Sequence, residues 1–376
     1  MTSRRLLILA IAAIVAIGAG VWLAGREGST GSSAGTGALY PQLKEQLNSV
    51  SAVNMYKAGD ARVVSLKKQG DEWTVSERDN YPADASKVRK LLVAIADAKV
   101  YEQKTSNPSS YATLGVEDTK DKNATSLRIE LVGAPKPVNL IVGKQGAGAH
   151  SNYVRRAGEP QSWLVNASID TSSTPEAWLR KDIIDVGADR MQSATVQTKD
   201  AKPYTAAKAT RADANFNVDG LPKGKSLSAP TAANSVASAL ASLSLSDVHA
   251  ASAFQSKPPA AHATFKTFDG LVVDVDGWVQ DNKHYVALRP SFDAAQAERF
   301  KVATAPEEKK PEEQKPEAQK GEAPAANKPE EPPKPAAPNV QEDAKKAASK
   351  LSGWVYEIPD YKYEALFKPV EQLVGK

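Results

Sequence analysis

Residues 72–98 read EWTVSERDNYPADASKVRKLLVAIADA. The opening Glu72-Trp73-Thr74-Val75 alternates polar and apolar side chains, the period of a half-buried strand. Pro82, Asp84 and Ser86 mark a helix start, with either polar residue able to cap free amides. Val88, Leu91, Leu92, Ile95 and Ala96 then recur at helical spacing and make one apolar face. A strand followed by a helix with a single apolar face predicts an α+β arrangement, a sheet with a helix packed on it.

Working outward, the same rhythm extends and then returns. Residues 43–50 read as a short lead-in helix, and the apolar run 50–56 leads to Val63-Val64-Ser65-Leu66, with a turn at Gln69-Gly70-Asp71 before Trp73. Downstream, 111–114 reads as a helical turn ending at Gly115. Strands at 127–132 and 138–143 follow, joined at Gly133-Ala134-Pro135, and then strands around Tyr153 and Trp163. Pro175 opens a closing helix carrying Trp178, Leu179, Ile183 and Ile184, at a position where its missing amide costs little. The second half repeats the order. Ala194-Thr195-Val196 leads to 204–209, Asn215-Phe216-Asn217-Val218, a helical run at 232–243, a strand pair within 263–275, Tyr285-Val286-Ala287 and Gly353-Trp354-Val355-Tyr356. Two tandem related modules are therefore expected, each a mostly antiparallel sheet with one packed helix and a closing helix, at 40–187 and 188–376.

The second copy is interrupted. Ten positions separate Tyr153 from Trp163, whereas 69 separate Tyr285 from Trp354. Residues 305–349 contain nine prolines, eight lysines and ten acidic residues, with Val340 the only large aliphatic. Such a composition does not bury enough apolar surface to offset the entropy of ordering, so 304–350 is expected to be disordered. It reads either as a solvated loop tolerated at a hairpin tip or as an arm reaching a partner.

The amino-terminal residues predict where the modules work. Arg4 and Arg5 precede an uncharged run at 6–24 that carries Leu6, Leu7, Ile8, Leu9, Ile11, Ile14, Val15, Ile17, Val21, Trp22 and Leu23. At 1.5 Å per residue its 19 positions span about 28 Å, close to a hydrocarbon core. Gly18-Ala19-Gly20 offers a signal-peptide cleavage site, but the run continues through Val21-Trp22-Leu23 and favours a retained transmembrane anchor (1–25). Either way the rest is exported, and the flanking arginines place the amino terminus in the cytoplasm and the body on the outer side of the membrane. A Gly/Ser/Thr-rich stretch within 26–39 reads as a flexible linker. There is no cysteine, which excludes disulfides, thiolate metal sites and a lipidated-cysteine anchor. With 48 basic against 44 acidic residues, net charge +4, the surface is mixed and is not a nucleic-acid footprint.

Several segments resemble a bacterial family catalogued as a domain of unknown function, number 4340. They are Trp73-Thr74-Val75-Ser76-Glu77-Arg78, Tyr81-Pro82-Ala83-Asp84, Lys87-Val88-Arg89-Lys90-Leu91-Leu92, Lys104-Thr105-Ser106-Asn107-Pro108, Leu114-Gly115-Val116-Glu117-Asp118, Tyr153-Val154-Arg155-Arg156, Gln161-Ser162-Trp163-Leu164-Val165 and the run 178–185. The resemblance covers most of 40–187 and is faint in the second copy. It implies a membrane-anchored auxiliary component of an ABC-type transport system related to gliding-motility exporters, with permease and ATPase subunits as partners. It implies no catalytic residues.

The sequence carries no enzyme signature. The histidines His150, His249, His262 and His284 lack the i, i+4 spacing of a helical zinc site, and Asp247-Val248-His249 reads as a polar loop, so no metal and no cofactor are expected. The stretch Gly143-Lys144-Gln145-Gly146-Ala147-Gly148 lacks Walker spacing and sits between strands, and no Gly-x-Ser-x-Gly elbow is present. Asp274 and Asp276 share one strand face, the ordinary pattern of a solvated surface. Most of Trp73, Trp163, Trp178, Trp278 and Trp354 are expected in the core. The rival reading is a cell-envelope polysaccharide or peptidoglycan binding surface, in which exposed rings stack on sugars and Lys144, Arg155 and Arg156 donate hydrogen bonds. A non-enzymatic binding or adaptor protein is the expected class.

Overall fold

The computed structural model describes residues 37–148, 150–199, 201–301 and 339–375. The chain divides after Arg180 into two compact units, each built on its own antiparallel sheet with helices, an α+β fold. The expected anchor, the expected linker as far as residue 36 and the insertion from 304 to 338 lie outside the described residues. Among the described residues no helix is long and apolar enough to cross a membrane.

The first unit opens with α1 (Leu43–Gln46) and then forms β1 (Ala52–Lys57), β2 (Ala61–Gln69), β3 (Glu72–Val75), β4 (Tyr81–Pro82), α2 (Ala85–Ala96) and β5 (Lys99–Gln103). After α3 (Tyr111–Leu114) come β6 (Leu127–Val132), β7 (Val138–Gln145), β8 (Asn152–Arg156) and β9 (Ser162–Asn166). The strand order is β4-β3-β2-β1-β6-β7-β8-β9-β5. Helix α2 starts where the sequence predicts. The Asp84 carboxylate accepts from Lys87 N at 3.0 Å, and Val88, Leu91, Leu92, Ile95 and Ala96 are buried.

Helix α2 leaves one edge of the sheet at β4 and delivers the chain to the opposite edge at β5. Its 12 residues span about 18 Å, whereas eight strand spacings in a flat sheet cover about 38 Å. The sheet must therefore curl around the helix. Val53, Met55, Ile129, Leu140, Val142 and Val154 line its buried inner face in cross-strand register. Residues 37–39, expected as linker, are docked instead. Val100 N donates to Gly37 O at 2.9 Å, Leu39 N donates to Ala98 O at 2.7 Å, and the Leu39 side chain is buried. They satisfy part of the outer edge of β5, which would otherwise offer unpaired backbone groups.

The second unit forms β10 (Asp182–Ile184), β11 (Met191–Thr198), β12 (Tyr204–Ala207), β13 (Asn217–Asp219), α4 (Asn234–Ala237), β14 (Leu243–Ser244) and β15 (Asp247–Ala250). It continues with β16 (Ala261–Thr267), β17 (Leu271–Gln280), β18 (Lys283–Phe292), α5 (Ala294–Arg299), α6 (Val340–Leu351), β19 (Trp354–Ile358) and α7 (Asp360–Leu366). Its main sheet has the order β13-β12-β11-β16-β17-β18-β19-β15. Position for position, this is the order of the first sheet with β4 left out.

Four further expectations are corrected. The closing helix after Pro175 is a 3-10 turn, Pro175–Trp178, and Ile183 and Ile184 belong to β10, which pairs with β14. The helical run at 232–243 shrinks to α4, because Leu243 and Ser244 are taken up by that same pairing and Ser242 sits at φ 47°. Residues 340–350, expected as disordered, lie in α6. Asn339 caps it by accepting from Glu342 N at 3.3 Å, and Ala344 and Leu351 are buried, with the helix packed on β18. Residues 247–249 are not a loop but edge strand β15, paired with β19.

Candidate functional site

The three basic residues singled out from the sequence do not converge. Successive residues of a strand face opposite sides, so Arg155 and Arg156 of β8 part company. Arg155 is only 4% exposed. Its Nε donates to Val116 O at 2.9 Å and its Nη1 to Glu159 O at 3.0 Å, and its guanidinium lies 4.5 Å from the Tyr111 ring centre. Lys144 reaches the same turn from β7, donating to the Thr113 and Ala112 carbonyls at 3.0 and 3.3 Å, a lysine satisfying the last carbonyls of α3. Together they fasten the 108–117 turn over Ile141 on the outer face of the sheet. Arg156 points to the inner side, where it donates to Leu39 O, pairs with Glu159 at 3.2 Å and lies 5.0 Å from the Trp163 ring.

Beside that fastened turn the outer face of the first unit carries a groove of about 490 Å³, where β8, β9 and β5 meet the β7–β8 hairpin tip. Tyr153 and Leu164 are cross-strand partners in it, as are Leu164 and Glu102. Lys104 pairs with Glu102 at 2.7 Å and stands 5.8 Å from the Tyr153 ring. Tyr101, at a register shift in β5, is 70% exposed on the rim. The tryptophans supply no platform here. Trp178 is fully buried, Trp278 is 9% exposed, and Trp73, Trp163 and Trp354 are half-buried, consistent with packing.

The corresponding place in the second unit has different chemistry. One row across the outer face runs Trp278, Tyr285, Glu357, Asp247, each directly opposite the next. His249 follows Asp247 by two residues on β15 and sits edge-on to Tyr285, with ring centres 5.6 Å apart. Phe254 covers Trp278, Tyr285 and Val355. Lys283 donates to Glu357 Oε2 at 2.9 Å, and this hydrogen bond, with the carboxylate's charge, raises the lysine pKa. Donor atoms from Asp247, His249 and Glu357 lie within 4.8 Å of one another, the spacing from which a metal ion could be held.

Farther along the same face a polar network crosses β16, β17 and β18. His262 Nδ1 lies 2.8 Å from Asp276 Oδ1, and Arg289 donates to Asp276 Oδ2 at 2.7 Å. Burial works against the Asp276 charge, but the hydrogen bonds from Arg289 and His262 outweigh it and hold its pKa below the usual carboxylate range. Thr264 Oγ1 lies 3.3 Å from His262 Nε2, so hydroxyl, imidazole and carboxylate stand in line as in a nucleophile relay. The hydroxyl, however, donates to Asp274 at 2.6 Å. Its proton is committed away from the imidazole, and the group reads as a cross-strand ion-pair lattice. The shared face of Asp274 and Asp276 was legible from alternation. His262 and Arg289 were not, because register between strands is not written in local spacing. The same holds for Glu357, which lies 110 positions from Asp247.

No curated protein and no solved structure matches the chain. The profile of one family matches residues 73–266, from the second residue of β3 to β16, and so takes in parts of both units and slightly more than half of the chain. The chain belongs to that family, the domain of unknown function DUF4340.

Proposed function

We propose that this chain is a non-enzymatic accessory protein of an ABC-type transport system, held in the bacterial inner membrane by residues 6–24 with its two units on the periplasmic side. The observation that carries the reading is the coincidence of strand order between the two sheets, which supports two copies of one binding module in tandem. Each copy ends its sheet with a strand that follows the helical segment and pairs with the last hairpin, β5 in one and β15 in the other. At that place one unit offers a tyrosine-floored groove and the other an acidic and imidazole-bearing edge. Equivalent frames with different side chains suit two contacts of different chemistry, as an adaptor between permease and cargo requires. Anchoring beside a permease raises the local concentration, so weak contacts suffice. ATP use belongs to a partner, since the sequence carries no Walker motif.

The test is affinity purification of the tagged full-length protein from its own membranes after mild crosslinking. Recovery of a permease and its ATPase, lost when residues 6–24 are exchanged for an unrelated span, is the expected result. Recovery of wall glycan without a transporter would transfer the reading to an envelope-binding module, with Tyr101 and Tyr153 as the stacking rings.

A further inference from the structure

We propose that Asp247, His249 and Glu357 form a site for a divalent transition-metal ion of the zinc type at the edge of the second sheet. Asp247 and His249 stand two residues apart on β15 and so share a face, and Glu357 on β19 is the direct cross-strand partner of Asp247. Three donors from two paired strands are thus brought within 4.8 Å of one another by backbone register alone. Zinc–ligand bonds of about 2.0–2.2 Å require only small side-chain rotations from there.

A second observation points to a ligand. Among the described residues His249 Nε2 is shut off from solvent and has no hydrogen-bond partner, while the ring is held between Tyr285 and Phe254 at centre distances of 5.6 and 6.3 Å. A dry, unpaired ring nitrogen costs free energy, and coordination through Nε2 removes that cost. The donor set selects the metal. One imidazole nitrogen with two carboxylates suits a borderline ion such as zinc, whereas magnesium prefers an all-oxygen octahedron. Three protein donors leave a further position for water or an anionic group.

Lys283 gives the site a competitor. Its ammonium bonds Glu357 Oε2 at 2.9 Å and supplies positive charge where the metal would sit. Metal binding then displaces or redirects that ammonium, and the bound ion clips edge strand β15 to β19. The expectation of no metal, drawn from the lack of helical i, i+4 spacing, does not apply to a site made across two strands.

The experiment is titration of the full chain, solubilised in detergent and stripped with chelator, with zinc chloride and separately with magnesium chloride, reading calorimetric binding and Tm. The expected result is a zinc-dependent rise in Tm with one tight equivalent that magnesium does not reproduce. Asp247→Asn and His249→Gln should each weaken that equivalent by at least about tenfold, the scale seen even for groups one step removed from a metal. Lys283→Met should tighten it, an effect that a merely structural lysine would not produce. Zinc affinity unchanged in both Asp247→Asn and His249→Gln would assign binding to His150, His262 or His284 and overturn the proposal, as would an equal response to magnesium. Should His249→Gln fail to fold, Asp247→Asn with Lys283→Met decides the matter.

Discussion

Arg155 and Arg156 are neighbours in sequence with different work, and the difference is set by strand alternation. Arg155 satisfies two backbone carbonyls from a nearly closed position under the Tyr111 ring. Hydrogen bonds to a charged group are worth about 1.5–3 kcal/mol each, and loss of the donor leaves buried carbonyls unpaired. Arg155→Met should therefore lower the stability of the first unit by about 2–4 kcal/mol, read as a fall in urea midpoint; a fall of a few tenths would show that the turn is held by other means. Asp276 supplies the pH test. Its folded-state pKa lies below the unfolded value, so its contribution is complete above the ordinary carboxylate range and is lost as pH falls through the folded value. Asp276→Asn should be less stable than wild type at neutral pH, and the gap should close well below about pH 4. A gap that is constant with pH would mean that the carboxylate's charge is not what Arg289 and His262 recognise.

At the scale of elements, legibility followed how local the determinants are. Helix α2 was readable because its cap, Asp84, and its apolar stripe, ending at Ala96, lie close together in the sequence. Strands β6 to β9 were readable from alternation and turn residues. Helix α6 was not, because averaging over 305–349 hid the spacing of Val340, Ala344 and Ala348, which with Leu351 beyond that window make an apolar stripe that becomes helical when β18 lies beneath it. Strand β10 and the shortened α4 were misread for one shared reason. Ile183 and Leu243 carry helical spacing, but each is claimed by the other's strand across some 60 positions of chain, and tertiary pairing overrides local propensity. Close packing offers a direct check. A Cβ on Gly277 in β17 would lie 2.5 Å from Phe367 Cε2, just after α7. Gly277→Ala should cost about 1–3 kcal/mol through overpacking, and Phe367→Leu should recover part of that loss when combined with it. Additive costs would show that the contact is not tight.

For the whole molecule, the decisive feature is that β19, near the carboxy terminus, lies between β18 and β15 in the second sheet. Val355 and Tyr356 of β19 are buried, and Leu366 and Phe367 close the inner side. Removal of residues 352–376 should abolish cooperative unfolding of the second unit while the first keeps its transition, monitored by calorimetry. Survival of both transitions would refute the idea that the last hairpin completes a second copy. That the two sheets share one order of strands was legible as a repeated rhythm in the sequence. Their unequal chemistry was not, since Leu164 and Glu357 stand opposite Tyr153 and Tyr285 only once the sheets are assembled. The proposed role of this frame, an adaptor for a transporter, is open to a direct test at the groove of the first unit. The most direct measurement replaces Tyr101, exposed on the groove rim, with a photo-crosslinking residue in living cells, with the exposed Lys67 on β2 as control position. A light-dependent adduct with an ABC permease subunit is expected from position 101 and none from position 67. Equal labelling from both positions, or adducts to envelope components without a transporter subunit, would contradict it.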